Sequence, residues 1–218
     1  MTPFELYQLS SNLQASGSLF LIIIASLTLR FNKSIEVKLI LIYATGSVLF
    51  QLGQDIFSKN SNNIGDYFVL FEATLFLILY YFLIPKSFSR KLILLSLISF
   101  YLYFLVYKIN ATDMMGSSIR TFRDVLMILF SIIYFVQLMK DLPEERLSNI
   151  PMFWINSSIL FFFSCTFILS LTMSYIAAVL KEDFSPYWAF RNFLRLGFCM
   201  VIGYGIWKAR VSQNKQSL

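Results

Sequence analysis

The sequence predicts an all-α polytopic membrane protein, a bundle of seven transmembrane helices with the N-terminus outside and the C-terminus in the cytoplasm. Three observations carry this. Of the 218 residues, 57% are hydrophobic and only 14% are charged, against roughly 25% charged residues in a soluble domain. Apolar runs of about 20 residues, the length needed to cross a bilayer, recur along the whole chain. The basic residues between those runs fall mostly on alternate sides.

Taken in order, helices are expected near 12–30, 36–57, 65–84, 91–108, 117–139, 151–179 and 186–207, together forming a single transmembrane domain over residues 1–218. The breaks carry turn and cap chemistry: Asn32-Lys33-Ser34, Asn60-Ser61-Asn62-Asn63, Pro85-Lys86, Asn110-Ala111-Thr112-Asp113, Pro143, Asn149-Ile150-Pro151 and Ser185-Pro186. Pro151 and Pro186 suit the first helical turn, where the N–H that proline lacks has no partner anyway. Before the first run, Met1 to Asn12 contains Glu5 and no lysine or arginine. A signal peptide begins with a basic segment, so this apolar run is expected to stay in the mature protein.

Orientation follows from the basic residues. The first, third and fifth loops and the tail hold eleven of them, namely Arg30, Lys33, Lys38, Lys86, Arg90, Lys91, Lys140, Arg146, Lys208, Arg210 and Lys215; the opposite side holds three, Lys59, Lys108 and Lys181. The richer side is expected in the cytoplasm. Trp188 near the outer surface, with Trp154 and Trp207 near the inner one, suits the aromatic belts of an integral cell (inner) membrane protein. The net charge of +6 is scattered over short loops and forms no nucleic-acid patch.

Absences restrict the chemistry. With no histidine, Ser-His hydrolysis, zinc-His sites and histidine-ligated haem are excluded within this chain. The two cysteines, Cys165 and Cys199, lie in apolar helices and read as buried thiols without a disulfide framework. No catalytic residues, metal or cofactor are expected.

The informative residues are the polar ones inside the spans, which must face the interior and find partners. Helix 2 ends with Gln51, Gln54 and Asp55, helix 3 carries Asp66 and Glu72, helix 5 opens with Arg120, Arg123 and Asp124, and helix 7 opens with Arg191, Asn192 and Arg195. All fall in the outer half of the bundle. Four acids (Asp55, Asp66, Glu72, Asp124) balance four arginines (Arg120, Arg123, Arg191, Arg195). Glu72 lies roughly 9–12 Å deeper than the start of its helix at 1.5 Å per residue, so it is expected to pair with Arg195 or Arg123.

Three readings fit this set: an internal salt-bridge network that fixes helix register, a polar site open to the outside, or a proton or ion path. Arginines in such a site would grip a small polar or anionic ligand. The second reading implies a receptor-like or sensory protein that signals to a cytoplasmic partner. A small-solute permease, with Asn156, Ser157 and Ser158 along its exit, and a non-catalytic subunit of a membrane complex are the alternatives. Asn156, Ser157 and Ser158 otherwise read as packing contacts between helices, and Gly197, Gly203 and Gly205 as places of close helix approach.

Familiar seven-helix classes fail on residues. No lysine lies between Lys181 and Lys208 to hold retinal, and the Asp-Arg-Tyr, Asn-Pro-x-x-Tyr, Gly-x-Gly-Asp and Pro-Gln signatures are missing. The stretches Pro151-Met152-Phe153-Trp154-Ile155 with Leu160-Phe161-Phe162-Phe163, and Phe71-Glu72-Ala73 with Tyr80-Tyr81-Phe82, resemble helices 6 and 3 of an uncharacterised family of small bacterial seven-helix membrane proteins. The resemblance implies Glu72 and Trp154 as family-type positions and supplies no activity.

Overall fold

The computed structural model describes residues 2–57, 61–84, 87–110, 117–141, 147–179 and 185–216. Seven α-helices account for almost all of them: α1 Pro3–Leu29, α2 Ile35–Ile56, α3 Ser61–Leu83, α4 Ser87–Asn110, α5 Ser117–Lys140, α6 Pro151–Val179 and α7 Ser185–Gln216. Pro85, Lys86, Thr112, Asp113, Pro143 and Arg146, read as loop residues, lie outside the described residues, as do Lys59 and Lys181.

Among the described residues, six helices are long and apolar enough to cross a membrane: Pro3–Leu29, Ile35–Ile56, Ile64–Leu83, Ser89–Ile109, Ser117–Lys140 and Pro151–Met173. The seventh expected span is the exception. Over Ser185–Gln216 the helix carries Arg191, Arg195, Lys208, Arg210 and Lys215 with three glycines, which dilute its apolar character.

The largest boundary differences are in α7, which runs to Gln216 and not to about 207, and in α1, which begins at Pro3 and not near residue 12. Thr2 caps it. Its hydroxyl accepts from the Glu5 N–H at 3.3 Å, and the Glu5 carboxylate accepts from the Thr2 N–H at 2.8 Å. This reciprocal capping box satisfies two donors that a helix start leaves open, and Pro3 occupies the first turn. Beyond the end of α1 the Asn32 side chain accepts from the Ser34 N–H at 2.9 Å, the turn expected of that break.

The chain forms two compact units. Residues 1–49, 138–162 and 183–218 make the first, and residues 50–137 and 163–182 the second. In the first unit α1 packs along α7, and small residues set the spacing. A Cβ added at Gly17 would stand 2.7 Å from Leu196, one at Gly203 3.0 Å from Phe20, and one at Gly205 2.8 Å from Ile155. Gly17 thus joins the expected Gly203 and Gly205 as a point of close approach. Gly197 does not: a Cβ there would meet nothing within 4 Å. Leu21, Ala25, Ile40, Tyr43, Ile159 and Ile202 fill the core, and Phe162 stacks on Phe198 with ring centroids 4.6 Å apart.

In the second unit α3 packs against α4. Phe76, Leu77, Tyr80, Phe100, Met127, Phe130 and Phe163 are buried, and Phe100 stacks on Phe122 at 5.8 Å. The outer face of α4 is the reverse of a soluble surface: Leu94, Leu95, Ile98, Leu102, Leu105, Val106 and Ile109 are all exposed. Patches of that kind fit a hydrocarbon solvent, with polar groups drawn to the interior. Cys165 and Cys199 are both free thiols.

Candidate functional site

Periodicity places the charged residues of α5 on one side. Arg123 and Asp124 follow Arg120 by three and four residues, which brings each to the side of the helix that carries Arg120, and all three are buried. On α3, Glu72 is buried completely. Arg123 ties the two helices together. One terminal nitrogen of its guanidinium donates to Glu72, while the other donates to Asp124 at 2.6 Å. Its Nε donates to the same Asp124 oxygen at 2.9 Å.

All three side chains of this triad have zero exposure. The ring of Phe163 caps the guanidinium, 5.1 Å from centroid to Cζ. A lone charge at a span centre costs about 2.5–3.5 kcal/mol. Ion pairing with charge-assisted hydrogen bonds is what makes this burial tolerable.

Toward the N-terminal end of α3 lie further polar groups. A Cβ added at Gly65 would stand 3.1 Å from the Gln54 amide nitrogen and 3.6 Å from a terminal nitrogen of Arg120. The missing side chain therefore lets α2 and α5 bring both polar groups onto the α3 backbone. Gln51 and Gln54 are half-buried and Asp55 is exposed. Asp66 pairs with Lys108 of α4 at 2.7 Å and accepts from the Tyr107 hydroxyl at 3.2 Å. The Lys108 ammonium also lies 5.4 Å from the Tyr67 ring centroid, a cation–π distance.

The α7 residues belong to the first unit. Arg191 stands over Trp188 at 5.4 Å, and Asn192 donates to the Ser10 hydroxyl of α1 at 3.1 Å. Arg195 is buried over the Phe162 ring at 5.6 Å. Arg123, one of the two partners expected for Glu72, is in hydrogen-bonded contact with it.

Sequence reasoning missed Lys108 and Tyr107. The sequence places Lys108 at the end of the fourth span only as an outer-side basic residue, with no partner assigned to it; α4 runs on to Asn110. The signal was available: in a short helical hairpin the end of α4 returns to the level of the first turns of α3, which carry Asp66. Also missed was a cluster in the first unit. There the Trp154 indole donates to the Ser148 carbonyl at 2.9 Å, and Lys208 donates to that same carbonyl. Ser157 and Ser158 bond back to carbonyls of their own helix, Phe153 and Ile155, both at 2.7 Å, and not across helices through those hydroxyls.

Among the described residues no group of three or more Cys, Asp or Glu is arranged to hold a metal ion. No family model, curated protein or solved structure matches the chain. The architecture and the site define a class: a helical protein with six helices fit to cross a membrane and a paired charge network buried in its second unit.

Proposed function

We propose that the chain is a receptor-like or sensory membrane protein of the bacterial inner membrane, non-catalytic, with its N-terminus outside. The observation that carries this is Arg123 bridging Glu72 and Asp124 at zero exposure. Ionisable groups within a span are costly to retain and mark functional sites by default. In this reading all seven helices cross, and α7 is the span that tolerates charge because Arg195 lies buried over an aromatic ring.

A small polar or anionic molecule engages the Gln54–Arg120 end, where Arg120 keeps a little exposure at 8%. Its charge competes with Glu72 and Asp124 for Arg123, one turn along α5 from Arg120. The triad then repartners and shifts α3 against α5, which a cytoplasmic partner reads through the short basic loops. The eleven-to-three bias of basic residues supports that orientation.

The test compares wild-type protein with Arg120→Gln, each purified from native membranes in mild detergent, by mass spectrometry of the retained small molecules and proteins. A polar metabolite held by wild type and lost from a folded Arg120→Gln variant is the expected outcome. Identical profiles would remove the ligand from this site. A second reading is favoured by the complete burial of the triad. There the ion pairs only fix the register of α3 on α5, and the protein is a non-catalytic subunit of a larger membrane complex. The permease gains less support, since Ser157 and Ser158 of its supposed exit are occupied within their own helix.

A further inference from the structure

A second site lies in the first unit, apart from the charge network. Between α6 and α7 runs a cavity of about 420 Å³ lined by Trp154, Phe161, Phe190, Phe193, Gly197 and Val201, among others. Its walls are apolar in effect, because the hydroxyls of Ser157 and Ser158, which also line it, are bonded inside α6. The floor is open where Gly197 carries no side chain, with nothing within 4 Å of the Cβ position. Phe161 and Phe190 on its rim are exposed.

Its size and length match one kind of guest. An apolar cavity of about 150 Å³ holds one benzene, so this volume holds a chain of roughly 17 carbons. From Phe190 to Val201 the groove follows α7 for about 16 Å at 1.5 Å per residue. That is about half the 30 Å hydrocarbon core of a bilayer, the depth of one leaflet.

One end is cationic. Trp154 lines the groove, and the Lys208 ammonium sits 5.7 Å from its ring centroid and 5.6 Å from that of Tyr204. Trp154 and Tyr204 meet edge to face at 5.0 Å, forming an aromatic corner around a half-buried lysine. Lys208 donates to the Ser148 carbonyl, and among the described residues no carboxylate pairs with it. A partly desolvated cation beside an apolar slot calls for an amphipath with an anionic head.

We propose that this groove is a binding site for an anionic phospholipid, with one acyl chain between α6 and α7 and its phosphate at Lys208. Detergent-purified protein, delipidated and titrated with dioleoyl phosphatidylglycerol or dioleoyl phosphatidylcholine, is read by native mass spectrometry. Wild type should hold one phosphatidylglycerol more tightly than phosphatidylcholine. Lys208→Gln should weaken that binding about five-fold, the effect of one basic residue at a membrane surface, and abolish the headgroup preference. Gly197→Leu places a side chain into the open floor and improves helix propensity, so it should lose both lipids while remaining folded. Equal affinity for the two lipids in wild type, preference for free oleate over phospholipid, or undiminished lipid binding by Gly197→Leu would each overturn the proposal. Lys208→Gln leaves the groove intact and tests the headgroup contact even if Gly197→Leu fails to fold.

Discussion

Arg123 is a charge that α5 cannot carry alone. Its three hydrogen bonds to Glu72 and Asp124 fill the fork of a planar guanidinium, a geometry that lysine cannot reproduce. Arg123→Met leaves two buried carboxylates facing each other and should destabilise the protein by about 3–5 kcal/mol, measured as unfolding in detergent micelles. Arg123→Lys should recover only part of that. A loss below about 1 kcal/mol for Arg123→Met would mean the network contributes little to folding. At this scale the sequence was informative: a residue type that hydrocarbon rejects stands out in an apolar run, so Glu72, Arg120, Arg123 and Asp124 could be singled out. Their partners were less legible, since spacing along one helix does not say which helix lies opposite. Hence Glu72 has two candidate arginines in the sequence, and Lys108 has no assigned partner.

Helix ends follow local chemistry, and most were legible. The break at Asn32 and the start of α6 at Pro151 fall where turn and cap residues place them. The beginning of α1 was read too late, because polar residues after Thr2 masked a Thr-x-x-Glu capping box that was present in the sequence. Packing between helices was harder to see. A glycine is a contact only if another helix arrives there, so Gly17, Gly203 and Gly205 are tight and Gly197 is open.

The α3–α4 pairing offers a test at this scale. The Asp66–Lys108 bridge has side-chain exposures of 7% and 26%, so water screens one partner. A double-mutant cycle with Asp66→Asn and Lys108→Met should give a coupling of about 1 kcal/mol that falls with added salt. A coupling above about 3 kcal/mol, insensitive to salt, would contradict the partly solvated picture.

For the whole molecule, composition was decisive. A chain so apolar must put hydrocarbon-compatible surface outside, and the exposed leucines and isoleucines of α4 do so. The grouping of residues into two compact units had no sequence signal, because no linker or change of composition marks it: α2, α5 and α6 each contribute residues to both. The proposed topology predicts that a periplasm-dependent reporter is active when fused before Thr2 and inactive when fused after Leu218, with a cytoplasm-dependent reporter giving the reverse. The same activity at both ends would require an even number of crossings and would take α7, the least apolar helix, out of the membrane.

The most direct measurement concerns the triad. Glu72→Gln, Arg123→Gln and Asp124→Asn combined replace three buried charges by neutral hydrogen-bonding groups, isosteric for the two acids and shorter at Arg123, which should return much of the stability that Arg123→Met loses. Unfolding and small-molecule retention are then measured on the same purified sample. A stable triple variant that has lost the metabolite held by wild type is the result expected of a sensing site. A stable triple variant that retains it in full would contradict that function and leave the triad as a lock on helix register.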